Sequence, residues 1–200
     1  MPPKAKFTRE EILQAAFEIA RTEGIDKLTS RELGKRLGSS ARPIFTVYET
    51  MDELKNDVVG RAKELYRSYV AEGLNAKPAF KGVGMSYIKF SMEEPIFFQL
   101  LFMSPPSTLT DVTDILPVID ASYEDILRSV QEPYGLDRET ADRFYQHLWT
   151  YTHGIAAMCA TRLCRYTEQE ISQRMTEVFT SLLFMEKQKE NSKGANHDKN

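Results

Sequence analysis

Four short signals of one kind set the fold class of this chain: Thr8-x-x-Glu11, Thr29-x-x-Glu32, Thr50-x-x-Glu53 and Thr167-x-x-Glu170. In each, the threonine hydroxyl can accept from a free N–H of a first helical turn, while the glutamate reaches back to the N–H of the capping residue. Each is followed by apolar residues at helical spacing, and no segment carries the two-residue period of a half-buried strand. The chain is therefore expected to be all-α, with about nine helices.

The first helix is expected over about 9–23, with Ile12, Ala16, Ile19 and Ala20 on its core stripe, Phe17 widening it and Gly24 stopping it. A short second helix over 30–37 turns Leu33 and Leu37 inward and ends at Gly38. A third, over 41–47, follows Ser39-Ser40 and tolerates Pro43 in its first turn. The fourth starts after Thr50, carries Leu54, Val58, Ala62, Leu65 and Tyr69, and ends near Gly73. Helical patterns continue over 79–93 and 95–103, then after Pro105-Pro106 over 112–132, from Asp137 to about 165, and over 168–188. The polar stretch 188–200 is expected to be a disordered tail.

Several function classes lack their signatures. There is no GxSxG, no phosphate-binding glycine loop and no paired carboxylates beyond solvated faces, so no enzyme is expected. His147, His153 and His197 lack metal-ligand spacing. Cys159 and Cys164 lie five residues apart, about 140° around a continuous helix, which predicts neither a disulfide nor a shared metal site. No cofactor is expected. No apolar run is long enough for a membrane helix, and the polar start, Met1 to Lys6, carries no signal core; a cytoplasmic location is the expectation. The net charge is −3. That does not exclude nucleic acid, because a phosphate-binding face is local. Residues 1–55 are near neutral, with ten basic and nine acidic side chains.

Two short helices joined by a glycine-containing turn outline a helix-turn-helix, whose second helix enters the DNA major groove. The detail goes further. Residues 8–59 resemble the DNA-binding domain of TetR-family transcriptional regulators almost throughout. The matches are Ile12-Leu13-x-Ala15-Ala16-x-x-x-Ile19, Gly24, Leu28-Thr29, Leu33 to Gly38, Phe45, Tyr48 and Leu54. The resemblance implies a helix-turn-helix domain at 1–52 and a ligand-binding and dimerisation domain at 53–187.

Carried over by position, Thr29 and Arg31 would contact phosphate or a base from the second helix. Ala41, Arg42, Pro43, Phe45 and Thr46 would lie on the exposed side of the recognition helix, and Tyr48 would pack or touch a phosphate. Two departures stand out. Met51 replaces the family's frequent phosphate-binding lysine, which leaves that contact to Lys55 or to backbone N–H groups, and Arg42-Pro43 replaces a Gly-Thr type of pair. Arg42 suits the paired acceptors of guanine, against the alternative of a solvated arginine. Phe45 is either core or a partner for a thymine methyl. Ile44 and Val47 read as core, and Lys35 and Arg36 as solvated.

Further along, Trp149-x-x-x-His153-Gly154 resembles the signature of one TetR subgroup, and the stretch from Tyr87 to Phe102 resembles that subgroup's helix broken at Pro95. Phe90, Phe98, Phe102, Trp149 and His153 are the candidate ligand site: aromatic and methionine-rich walls adapt to apolar ligands, although plain core packing explains the same residues. Thr150, Gly154, Ala157 and Thr161 form a small-residue stripe, and Ile171, Met175, Val178, Leu182 and Met185 form an apolar face. The last two helices are thus expected to hold a homodimer as a four-helix bundle. The expected partners are a palindromic double-stranded DNA operator and a small-molecule effector that releases it. A helical protein-interaction module without DNA binding is the alternative.

Overall fold

All four threonine signals become helix starts. A computed structural model describes residues 6–104 and 122–197, and among these it contains eight α-helices and no strand. Thr8 and Thr167 make complete capping boxes: the Glu11 N–H donates to Thr8 and the Thr8 N–H to Glu11, and Glu170 and Thr167 repeat the exchange. Thr29 and Thr50 accept from the N–H groups of Glu32 and Glu53. There the glutamates turn elsewhere, Glu32 to Lys35 and Glu53 to the Glu49 N–H and to Arg9.

The chain groups into two compact units, Met1–Tyr66 with Glu93–Pro105, and Arg67–Met92 with Pro106–Asn200. The division expected after residue 52 and the one after Tyr66 both lie within one continuous helix, Met51–Leu74. The first unit contains α1 (Arg9–Glu23), α2 (Ser30–Arg36), the first part of α3 (Met51–Leu74) and α5 (Pro95–Phe102). Ile12, Ala16, Ile19, Leu33, Ile44, Leu54 and Val58 are its fully buried centre. Phe17 on α1 meets Phe97 on α5 with ring centroids 4.8 Å apart. Arg21 grips the buried carboxylate of Glu94 with two hydrogen bonds.

The second unit contains the end of α3, α4 (Ala79–Glu93) up to Met92, α6 (Tyr123–Tyr134), α7 (Arg138–Ala160) and α8 (Glu168–His197). Phe80, Phe144 and Phe179 pack together, with Phe179 also against Tyr134 at 5.0 Å. Glu186 is buried and paired with Arg143 and Lys189, which hold its carboxyl down at about 2.

Four sequence boundaries change. Where a helix over 41–47 was expected, the chain makes one 3-10 turn, Ile44–Thr46, because Pro43 supplies no N–H and disfavours helical backbone at Arg42. Pro133 does not stop α6, which runs one residue past it and ends at Gly135 in the left-handed conformation. The start of that predicted helix, 112–121, and the Pro105-Pro106 break lie outside the described residues. α7 ends at Ala160, five residues before its expected end. Arg162 takes φ 58°, and the Leu163 N–H donates back to the Met158 carbonyl, so the chain reverses without a glycine to mark it. α8 continues to His197, into the stretch read as a tail; lysine, glutamate and glutamine favour helix, and Lys189 bonds Glu186 one turn back.

Candidate nucleic-acid interface

The turn between α2 and Ile44 is built on two glycines. Gly38 adopts φ 61°, which lets its N–H donate to Lys35 and the Ser39 N–H to Gly34, closing the helix with its carbonyls satisfied. Gly34 lets the reversed chain lie directly on α2. A Cβ there would stand 3.0 Å from the Ser40 carbonyl carbon and 3.1 Å from both the Ala41 nitrogen and the Ser39 oxygen. The Ile44 side chain then anchors the 3-10 turn in the core.

This arrangement puts Arg31 on α2 and Arg42 on the turn in solvent, and Arg36 at the end of α2 is exposed as well. Among the described residues none of the three has an ion-pair partner. The near-neutral charge of residues 1–55 conceals this, because most of its acidic side chains lie outside 30–46. That stretch holds Arg31, Lys35, Arg36 and Arg42 against Glu32 alone, so the α2–turn segment is net cationic.

The other expected contacts divide. Thr29 is exposed and caps α2 as an acceptor, so its hydroxyl proton is available for a further acceptor. Ala41 and Pro43 are half-buried at the turn and Lys55 is half-buried on α3. Phe45 is 46% exposed, which places its ring on the solvent side and not in the core. The Thr46 hydroxyl donates to the Pro43 carbonyl at 2.7 Å, so its proton is spent inside the turn.

Tyr48 takes the packing role of its two alternatives. It is 1% exposed, its hydroxyl donates to Asp57 at 3.1 Å, and the Arg9 guanidinium lies 4.2 Å from its ring centroid. Burial first, and the Asp57 bond second, push its phenol up to about 12. The cluster of Arg9, Tyr48, Asp57 and Glu53 ties the start of α1, the turn and the start of α3 together. Sequence reasoning missed it, because Arg9 and Asp57 are 48 residues apart and neither carries a local signal.

The candidate ligand residues fall in both units. Phe98 and Phe102 lie in the first, 5.2 Å apart, with Phe98 fully buried and Phe102 edge-on to Tyr66. Phe90, Trp149 and His153 lie in the second. Phe90 is fully buried against Tyr69, while Trp149 stacks on His153 at 5.0 Å. The His153 Nδ1 is 2.9 Å from the Tyr87 hydroxyl, and burial lowers its pKa from the ordinary histidine value. Trp149 and Tyr87 thus both meet the His153 ring.

The expected dimer face also divides. Ile171 and Met175 are core residues. Thr150 and Gly154 on α7 and Thr161 at its C-cap are exposed, nothing stands within 4 Å of a Cβ built on Gly154, and Phe184 and Met185 on α8 are exposed.

No protein-family model and no curated protein matches the chain. Solved structures do. A transcriptional regulator from Rhodococcus sp. Rha1 superposes with a TM-score of 0.59 at 14% identity, over 88% of this chain and 96% of that one. A protein of Mesorhizobium loti MAFF303099, described as a TetR-family transcriptional regulator, gives 0.53 at 18% identity, over 90% and 98%. At such identities the likeness is one of fold: this chain has the all-helical fold of TetR-family transcriptional regulators. Among the described residues no helix is long and apolar enough to cross a membrane.

Proposed function

We propose that the chain is a TetR-type transcriptional regulator, of the subgroup carrying Trp149-x-x-x-His153-Gly154. In this reading it represses by binding a palindromic double-stranded operator as a homodimer and leaves it when a small apolar effector binds. The carrying observation is the α2–turn unit, where Arg31 and Arg42 stand exposed and without ion-pair partners on a rigid scaffold. Guanidinium groups bind phosphate and guanine edges well. Thr29 assists from the α2 cap, and Phe45 is available to a thymine methyl.

Support for the homodimer comes from the uncovered small residues of α7 and from Phe184 and Met185 on α8. Two-fold symmetry would present one reading turn to each half-site, about 34–36 Å apart. Support for an effector comes from Trp149, His153 and Tyr87, which offer aromatic faces with polar tips. An effector acts only through its different affinity for two states. α3 is the natural lever, since it starts in one unit and ends in the other without a break.

The test is titration of Arg42→Ala on a selected DNA site and on scrambled DNA. A loss of about 1–3 kcal/mol confined to the selected site assigns Arg42 to a base. An equal loss on both assigns it to phosphate, and no binding by the parent protein rejects the reading in favour of a protein-interaction module.

A further inference from the structure

The early end of α7 changes what its two cysteines can do. Cys159 lies in the last turn of the helix, whereas Cys164 lies past the reversal at Arg162 and is not on the helix at all. The Cys164 N–H donates to the Met158 carbonyl at 3.3 Å. That carbonyl adjoins the Cys159 nitrogen, so standard backbone dimensions put the two Cα atoms within about 7 Å, the upper limit of what a disulfide spans. Both thiols are free. They are close enough for Cys164 to act on its neighbour: burial first, and then the Cys164 sulfur, raise the Cys159 thiol above its ordinary value. Cys159 is buried and Cys164 half-exposed, and the Tyr166 hydroxyl shares a hydrogen bond with Cys164. The Arg174 guanidinium lies over that ring, 5.4 Å from its centroid.

We propose that Cys159 and Cys164 form an oxidisable dithiol, a modification site that closes to an intrachain disulfide across the end of α7. The oxidant is a hydroperoxide. The Cys164 sulfur, the accessible one, attacks the peroxide's terminal oxygen; the O–O bond breaks, an alcohol or water leaves, and Cys164 becomes a sulfenic acid. The Cys159 sulfur then attacks the Cys164 sulfur, the S–O bond breaks, and the hydroxyl leaves as water with the remaining thiol proton. Two thiols lose two electrons and the peroxide gains them. The bond would fasten the last turn of α7 to the segment leading into α8.

The test uses the full-length protein and hydrogen peroxide, with peptide mapping under non-reducing conditions. Trypsin cuts after Arg143, Arg162 and Arg165, so the disulfide joins the 144–162 peptide to the 163–165 peptide. The expected results are that linked pair in protein that runs as a single chain without reductant, and trapping of a sulfenic acid at Cys164 by dimedone in Cys159→Ser. Cys164→Ser should slow the oxidation of Cys159 by about tenfold or more, since a buried thiol reacts poorly. Three results would overturn the proposal: sulfinic or sulfonic acid at Cys164 with no linked peptide, a disulfide only between chains, or thiols unchanged by peroxide. Parent-like circular dichroism for both serine variants keeps a folding defect from imitating a change in their thiol reactivity.

Discussion

Gly34→Ala and Gly60→Ala add the same methyl group to a helix, yet the two sites demand opposite outcomes. Alanine in place of a helical glycine gains about 0.5–1 kcal/mol, because the unfolded chain has less freedom to lose. At Gly60, in the middle of α3, nothing stands within 4 Å of the new carbon, so the full gain should appear. At Gly34 the new carbon meets three backbone atoms of Ser39, Ser40 and Ala41 at 3.0–3.1 Å. Relaxed carbon contacts sit near 3.5–4.0 Å, so the turn would have to move by about 0.5 Å. Overpacking of this kind costs about 1–3 kcal/mol, and backbone cannot rotate aside as a flexible side chain can. The net change for Gly34→Ala is therefore a loss of about 0.5–2 kcal/mol. Urea unfolding followed by circular dichroism, with unchanged slopes, measures both variants on one scale. The displaced backbone carries Arg42, so Gly34→Ala should also weaken binding to the preferred DNA site. Equal stabilisation by both substitutions would refute the claim that the turn rests directly on α2.

Other perturbations test other parts. The Glu186 carboxyl lies near 2 in the fold against 4.5 ordinarily, so its contribution is fully present above about pH 4.5 and fades as the pH falls towards 2. The shift sets a ceiling of about 3 kcal/mol, which exposure of Arg143 and Lys189 reduces to about 1–2. Glu186→Gln should thus trail the parent by that amount at pH 7, keep part of the deficit at pH 3 and draw level only below about pH 2; a gap independent of pH in urea titrations would exclude the ion pairs as its source. Arg162→Gly should raise stability by about 0.5–1 kcal/mol, since the left-handed backbone costs arginine about that much; a lower melting temperature would show that the arginine side chain matters more than its backbone. Gly154→Leu should leave the fold intact and shift light scattering from dimer to monomer, and an unchanged dimer would move the interface elsewhere. An effector that releases DNA should change Trp149 fluorescence over the same concentration range; release with a silent Trp149 would take the ligand site away from α7.

The helix starts were legible because a threonine cap and a glutamate three residues on are a local device, written within one turn of chain. Helix ends with glycine were legible for the same reason, at Gly24 and Gly38. The end of α7 was not, since Arg162 supplies the left-handed residue and nothing in its side chain announces it. Among the candidate DNA contacts, the family resemblance picked out Arg31 and Arg42, but only the fold reveals which arginines are paired. Arg9 and Arg21 pair with carboxylates 44 to 73 residues away. Periodicity identified Ile171 and Met175 as one apolar face with Met185, yet one face of a long helix can be buried at its start and bare near its end. The aromatic residues at 90, 98 and 102 looked like one cluster in sequence and are divided between the two units.

Selection of bound double-stranded DNA from a random pool by the full-length protein is the decisive experiment for operator binding. An inverted repeat whose half-site centres lie about one helical turn apart should be enriched, with affinity falling steeply as salt rises, and that enrichment should be lost in Arg42→Ala. Recovery of no sequence above the starting pool, at low salt and with a folded dimer, would contradict operator binding.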